Sequence, residues 1–80
     1  MLIYPNPAHD FFFVKVEADE RSAAFIKVYS QEGKLMLQKN VTLIKGKNEF
    51  QLPATDFKDG LYVVIVIDSS SILWKKFLVE

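Results

Sequence analysis

Between Phe12 and Val79 the apolar residues fall in short strand-like runs, several of them at every second position, that turn residues interrupt about every ten positions. Phe12, Val14 and Val16 alternate with Phe13, Lys15 and Glu17, and Ala24, Ile26 and Val28 alternate with Phe25, Lys27 and Tyr29. An amphipathic helix needs apolar residues three and four apart, and no stretch sustains that spacing beyond one turn. A period of two with one apolar side is instead the mark of a half-buried strand. The chain is therefore confined to all-β folds. Many short strands in 80 residues predict a single domain over 1–80, a small antiparallel Ig-like β-sandwich of about seven strands.

The turns follow from local chemistry. The polar stretch Glu17–Ser22 breaks the first strand, and Gln31-Glu32-Gly33 turns the chain with glycine suited to a left-handed position. Lys34–Ile44 is long for one strand and is expected to bend or split near Lys39-Asn40. Lys45-Gly46-Lys47 is the next turn, and Asn48–Leu52 the next strand. Pro53–Gly60 has no strand pattern, and Phe57, its one large apolar residue, is expected to plug one end of the core. Leu61–Ile67 is apolar throughout, which predicts a central strand covered on both faces. Asp68–Ser71 then leads into a last strand over Ile72–Val79. At the front, each proline of Tyr4-Pro5-Asn6-Pro7-Ala8 fixes its own φ and keeps its predecessor out of the helical region. That segment is predicted to be a stiff, extended entry into the first strand.

Composition removes several function classes. Ten basic and ten acidic residues cancel, so no global field draws nucleic acid or an anionic membrane. With no cysteine there is no disulfide, thiolate nucleophile or zinc-thiolate site. No apolar run approaches the ~18 residues of a membrane span, so direct membrane insertion is not expected. Met1-Leu2-Ile3 lacks the basic and apolar regions of a signal peptide. If the protein is exported, its export signal is expected upstream on a longer parent chain.

No catalytic set emerges. His9 is the sole histidine, and strand geometry would turn its neighbour Asp10 to the opposite face; a solvated loop pair is the simpler reading. Asp56, Asp59 and Asp68 do not carry the spacing of a calcium loop and read as turn residues. Ser69, Ser70 and Ser71 have no base or orienting group near them in sequence. Lys45-Gly46-Lys47 lacks the glycine spacing of a phosphate loop, and Asn40-Val41-Thr42 is a weak glycosylation pattern. No enzyme activity, cofactor or metal is expected. Trp74-Lys75-Lys76-Phe77 interleaves aromatics with lysines as single-strand nucleic-acid platforms do, but it equally suits an edge strand guarded by lysines. If Phe77 and Val79 face inward, Trp74 and Leu78 face out, as do Phe11 and Phe13. Such surplus apolar residues can mark a partner surface.

Taken in order, these pieces form a set. Tyr4-Pro5-Asn6-Pro7-Ala8 precedes Phe12-x-Val14-x-Val16. There follow Ile26-Lys27-Val28-Tyr29, Gly33-Lys34-Leu35, Gly46-x-Asn48-x-Phe50-x-Leu52, Gly60-Leu61-Tyr62-x-Val64 and Lys75-Lys76-Phe77-x-Val79. Over nearly its whole length the chain resembles the type A C-terminal sorting domain of the type IX secretion system of Bacteroidota. The resemblance implies a module excised from the end of a larger exported cargo, not an enzyme. Such a cargo reaches the periplasm by an ordinary signal peptide, and the outer-membrane translocon with its shuttle and sortase components then takes it to the cell surface or medium. There a sortase-like peptidase removes the domain, cutting before or close to Met1. Tyr4–Ala8 would set the exit angle of the first strand. Gly33, Lys34, Gly46, Asn48, Gly60 and Tyr62 would belong to the sorting motif, the three glycines as turn formers. Lys75, Lys76, Phe77 and Val79 would present a basic, partly apolar strand to the translocon. Two rival readings remain at this stage. One is an accessory carbohydrate-binding or Ig-like spacer domain centred on Trp74; the other is a strand-donating assembly module.

Overall fold

The computed structural model describes residues 1–80 as seven strands without a helix. They are β1 (Leu2–Tyr4), β2 (Phe11–Ala18), β3 (Ser22–Ser30), β4 (Leu35–Leu43), β5 (Gly46–Pro53), β6 (Gly60–Asp68) and β7 (Ile72–Val79). A three-stranded sheet of order β1-β2-β5 packs on a four-stranded sheet of order β4-β3-β6-β7. Every strand pair is antiparallel, so the expected sandwich is the fold.

The period of two does what it must. Phe12, Val14 and Val16 of β2, Ala24, Ile26 and Val28 of β3, and Tyr62, Val64 and Val66 of β6 are all buried between the sheets. At one end the rings of Phe12 and Phe77 meet at 4.6 Å, and Phe57 stacks on Tyr62 at 4.9 Å. Phe57 thus closes that end of the core, and its ring also approaches Phe12. This aromatic group joins β2 of one sheet to β6 and β7 of the other. Aromatic contacts of this kind are worth about 0.5–1.5 kcal/mol each beyond the area they bury.

Three expectations give way. β4 neither splits nor bends at Lys39-Asn40: its ladder with β3 runs unbroken through Phe25↔Asn40 and Ile26↔Lys39. The irregularity lies further up, where Val28 faces Leu37 but Tyr29 faces Leu35, so Met36 is the extra residue of a bulge. β6 is central within its sheet, between β3 and β7, yet only one of its faces is covered. Leu61 is exposed, and Val63, Ile65 and Ile67 are half-buried on the outer side, where no third layer lies. An apolar run signals contact with apolar matter on both sides, and here one of those sides faces out.

The third correction concerns Tyr4–Ala8. Leu2–Tyr4 already forms a strand, paired as Ile3↔Val14 and Tyr4↔Phe13. The Pro-Asn-Pro segment then leaves the first sheet in a bend, its Tyr4–Pro5 and Asn6–Pro7 bonds both cis. It touches the edge of β7 in the second sheet through a parallel bridge between Ala8 and Val79. The chain then returns to the first sheet as β2. The segment is a strap between the two sheets, because its polar groups meet those of the β7 edge.

Candidate functional site

The strap brings both ends of the chain together. Leu78 donates its N–H to Asn6 Oδ1 at 2.9 Å, and Ala8 donates to the Leu78 carbonyl at 2.8 Å. Glu80 donates back to the Ala8 carbonyl at 2.9 Å, and His9 Nδ1 lies 2.5 Å from the Glu80 carbonyl oxygen. Ala8 is fully buried. Further along, Lys75 Nζ donates to the Met1 carbonyl at 3.4 Å, so the chain start lies beside the last strand. Asn6 and Ala8 of the first motif segment and Leu78 and Val79 of the last therefore form one clasp, while Tyr4 lies on the other sheet. On β7 Phe77 and Val79 are buried in the core, whereas Lys75 and Lys76 are exposed.

The remaining motif positions lie in turns. Gly33, at φ 88°, closes the β3–β4 hairpin, donating to the Ser30 carbonyl while Lys34 donates to Ser30 Oγ. Gly46, at φ 100°, opens β5 in a backbone region that L side chains avoid. Asn48 is the one polar residue in the buried set, and its amide ties that corner together. It accepts from the Ile44 N–H at 2.9 Å and donates to the carbonyls of Ile44, Gly46 and Val16. Gly60 starts β6, and the Tyr62 hydroxyl donates to the Lys58 carbonyl at 2.6 Å, pinning the Pro53–Gly60 loop over Phe57. Gly33, Gly46 and Asn48 lie away from the clasp, whereas Gly60 and Tyr62 stand directly beside it, paired with Val79 and Phe77.

The two outer faces differ in chemistry. On the outer face of the three-stranded sheet, Phe11 and Phe13 of β2 are followed by Lys15 and Glu17, which stand opposite Glu49 and Lys47 on β5. Tyr4 stacks on Phe13 at 5.2 Å, Phe11 meets Phe13 edge-on at 5.5 Å, and Lys15 Nζ stands 5.9 Å from the Tyr4 ring. Tyr4 donates its hydroxyl to Glu49 Oε2. That bond favours the neutral phenol and raises its pKa above the usual 10.0, with desolvation and the Glu49 charge adding to it. Lysines and glutamates thus stand across the ladder from one another on this face, beside the stacked rings.

The four-stranded sheet presents rows that cross all its strands. They are Asn40–Phe25–Ile67–Ile72, Gln38–Lys27–Ile65–Trp74 and Leu35–Tyr29–Val63–Lys76. Among these residues stand two lysines and no carboxylate. Ile72 is 66% and Trp74 63% exposed, so the expectation that Trp74 points outward holds, and loops do not fold over it.

The other candidate groups go their own ways. Asp56 and Asp59 line a groove with Lys34 and Lys58 at one end, while Asp68 lies in a groove with Glu17 and Ser70 elsewhere. Asp68 Oδ1 accepts from the Ser70 and Ser71 N–H groups and both hydroxyls. The backbone bond from Ser70, reinforced by those from Ser71, holds its carboxyl below the usual 3.8. The serines thus serve a turn. Sequence reasoning missed the clasp itself. Its signal was Asn6, a side chain able to accept a hydrogen bond, flanked by two prolines that have no backbone N–H of their own.

Fold and surface together define a small β-sandwich whose distinctive chemistry lies on the exterior, at joined termini and along one edge strand. No curated protein matches the chain. The family model described as a secretion system C-terminal sorting domain matches residues 2–80, and the chain belongs to that family. It is accordingly a C-terminal sorting signal of type IX secretion, which places it in a secreted protein destined for the cell surface and in contact with the type IX machinery.

Proposed function

We propose that residues 1–80 form one sorting module at the end of a larger exported cargo. The cargo crosses the periplasm, the outer-membrane translocon and its shuttle components take up the folded domain, and a sortase-like peptidase on the cell surface removes it. The module itself is the address and performs no catalysis. The observation that carries this reading is the clasp. It sets the exposed Lys75 beside the point where a chain entering at Met1 would emerge, with Lys76 next to it on the outer face of the same strand. The edge strand that carries the recognition residues and the start of the cargo linker then lie side by side, and Lys76 faces away from the linker. Asn48, Tyr62, Phe77 and Val79 serve by keeping this arrangement folded, since burial withholds their side chains from a partner.

The double change Lys75→Glu with Lys76→Glu tests the reading. Both side chains are exposed, so the fold should persist, with a thermal midpoint within a few degrees of the parent. Surface display of the cargo should stop. Normal display of a cargo carrying both changes would reject the role given to these lysines. The exposure of Trp74 keeps an accessory glycan-binding role in view, and binding of a glycan that Trp74→Ala abolishes would favour it.

A further inference from the structure

We propose that the free edge of β7 is a strand-addition site. A short extended segment of a partner protein would join the four-stranded sheet along Ile72–Lys76, as a fifth strand. Its side chains would be apolar opposite Trp74 and acidic opposite the lysines. The inference rests on the sorting reading in that the partner belongs to the secretion machinery.

Backbone geometry carries the first part of the argument. Both polar groups of Leu78 point away from β6, because Asn6 and Ala8 bind them from outside. The β6–β7 register is unbroken from Gly60↔Val79 to Ile67↔Ile72. In an antiparallel ladder, edge-facing residues alternate with paired ones, so Lys76, Trp74 and Ile72 share the orientation of Leu78. No strand pairs with them. Each offers an N–H and a C=O in line, a ready template for another chain. The strap ends this template at Leu78, and the Asp68–Ser71 turn ends it before Ile72. The vacant length is five residues, about 17 Å.

Side-chain chemistry selects the occupant. Ile72 and Trp74 are the two most exposed large apolar residues of the chain. Lys75 and Lys76, on successive positions, guard the two faces of the same edge. With no carboxylate on the outer rows, an incoming segment must bring the counter-charge. A lipid surface fits the apolar and basic side chains but would strand the edge N–H and C=O groups without partners. A second copy pairing antiparallel through β7 would satisfy the backbone, yet it would gather the lysines of both copies with no carboxylate among them. A partner strand with acidic residues meets all the requirements.

The test separates backbone from side chain. In a secreted reporter fused upstream of residues 1–80, Trp74→Pro removes the edge-facing N–H and leaves the β6 ladder whole, a tolerated use of proline. Trp74→Val removes the ring but keeps the N–H. Both should fold, as judged by circular dichroism and thermal unfolding. Export should fall at least about tenfold further for Trp74→Pro than for Trp74→Val, a difference of about 1.4 kcal/mol. If Trp74→Pro unfolds, Ile72→Pro at the first strand position makes the same comparison against Ile72→Val. Equal export of the proline and valine variants would overturn strand addition. So would binding of the isolated domain to phosphatidylglycerol vesicles that proline leaves intact, which would assign the face to lipid. A concentration-dependent dimer that proline abolishes would assign it to self-pairing. If the unsubstituted reporter is not exported, the sorting reading fails and takes this proposal with it.

Discussion

Replacing Asn48 with alanine should cost this domain a large part of its stability without touching any surface a partner could read. The side chain is 7% exposed, and its Oδ1 accepts from Ile44. Its two amide hydrogens face three carbonyls, those of Ile44 at 3.0 Å, Gly46 at 3.1 Å and Val16 at 3.4 Å. An amide has two hydrogens to give, so three bonds in all is its effective complement here. At about 1 kcal/mol each the loss is about 3 kcal/mol. Ile44 is 56% exposed, so water can replace part of its share, which lowers the expectation to about 2–3 kcal/mol. In a domain of this size each kcal/mol lowers the thermal midpoint by about 4–8 °C, so the midpoint should fall by about 8–24 °C. Urea unfolding is the assay, with a lower midpoint and an unchanged slope expected. A loss below about 1 kcal/mol would show that the Gly46 backbone holds this corner without the amide. Export at temperatures where the variant stays folded should be normal. Loss of export from a fully folded Asn48→Ala domain would make Asn48 a residue that the machinery reads.

Three further outcomes are expected. Asn6→Ala removes the acceptor of the Leu78 N–H, so the Leu78 amide should exchange with solvent faster while the amides of β3 and β6 keep their protection. Tyr62→Phe keeps the ring among Phe57 and Phe77 but loses the bond to Lys58, for about 1 kcal/mol by urea titration; a neutral result would mean that stacking alone pins the loop. Asp68 has its folded pKa below the unfolded value, so its contribution is fully present above 3.8 and disappears as pH falls through the folded value. Asp68→Asn should therefore flatten the acid side of the stability profile, and an unchanged slope would contradict the assignment. The residue is only half-buried, so salt should weaken the effect.

The layered β architecture was legible because burial on one face leaves a period of two, and Phe12, Val14 and Val16 or Ala24, Ile26 and Val28 show it without ambiguity. Phe57 was legible as a plug because nothing else near it in sequence is large and apolar. Three features were not legible, each for a physical reason. Leu2–Tyr4 is too short to display a period, and only pairing with β2 makes it a strand. The clasp depends on a contact between Asn6 and Leu78, far apart in sequence, that no local pattern encodes. Ile65 and Ile67 read as doubly buried because hydropathy reports a preference for apolar surroundings, not which molecule supplies them. That last discrepancy is informative, since the uncovered face adjoins the edge strand that carries Trp74 and Lys76.

Transport of a fused cargo is the most direct measure of a sorting signal. A reporter with an ordinary signal peptide is fused through a flexible linker to residues 1–80 and expressed in a type IX-competent bacterium, with a translocon-deficient strain in parallel. The reporter should appear at the cell surface without the 9.2 kDa module, and only when the translocon is present. An intact, folded fusion retained in the periplasm of the competent strain would contradict an autonomous sorting signal.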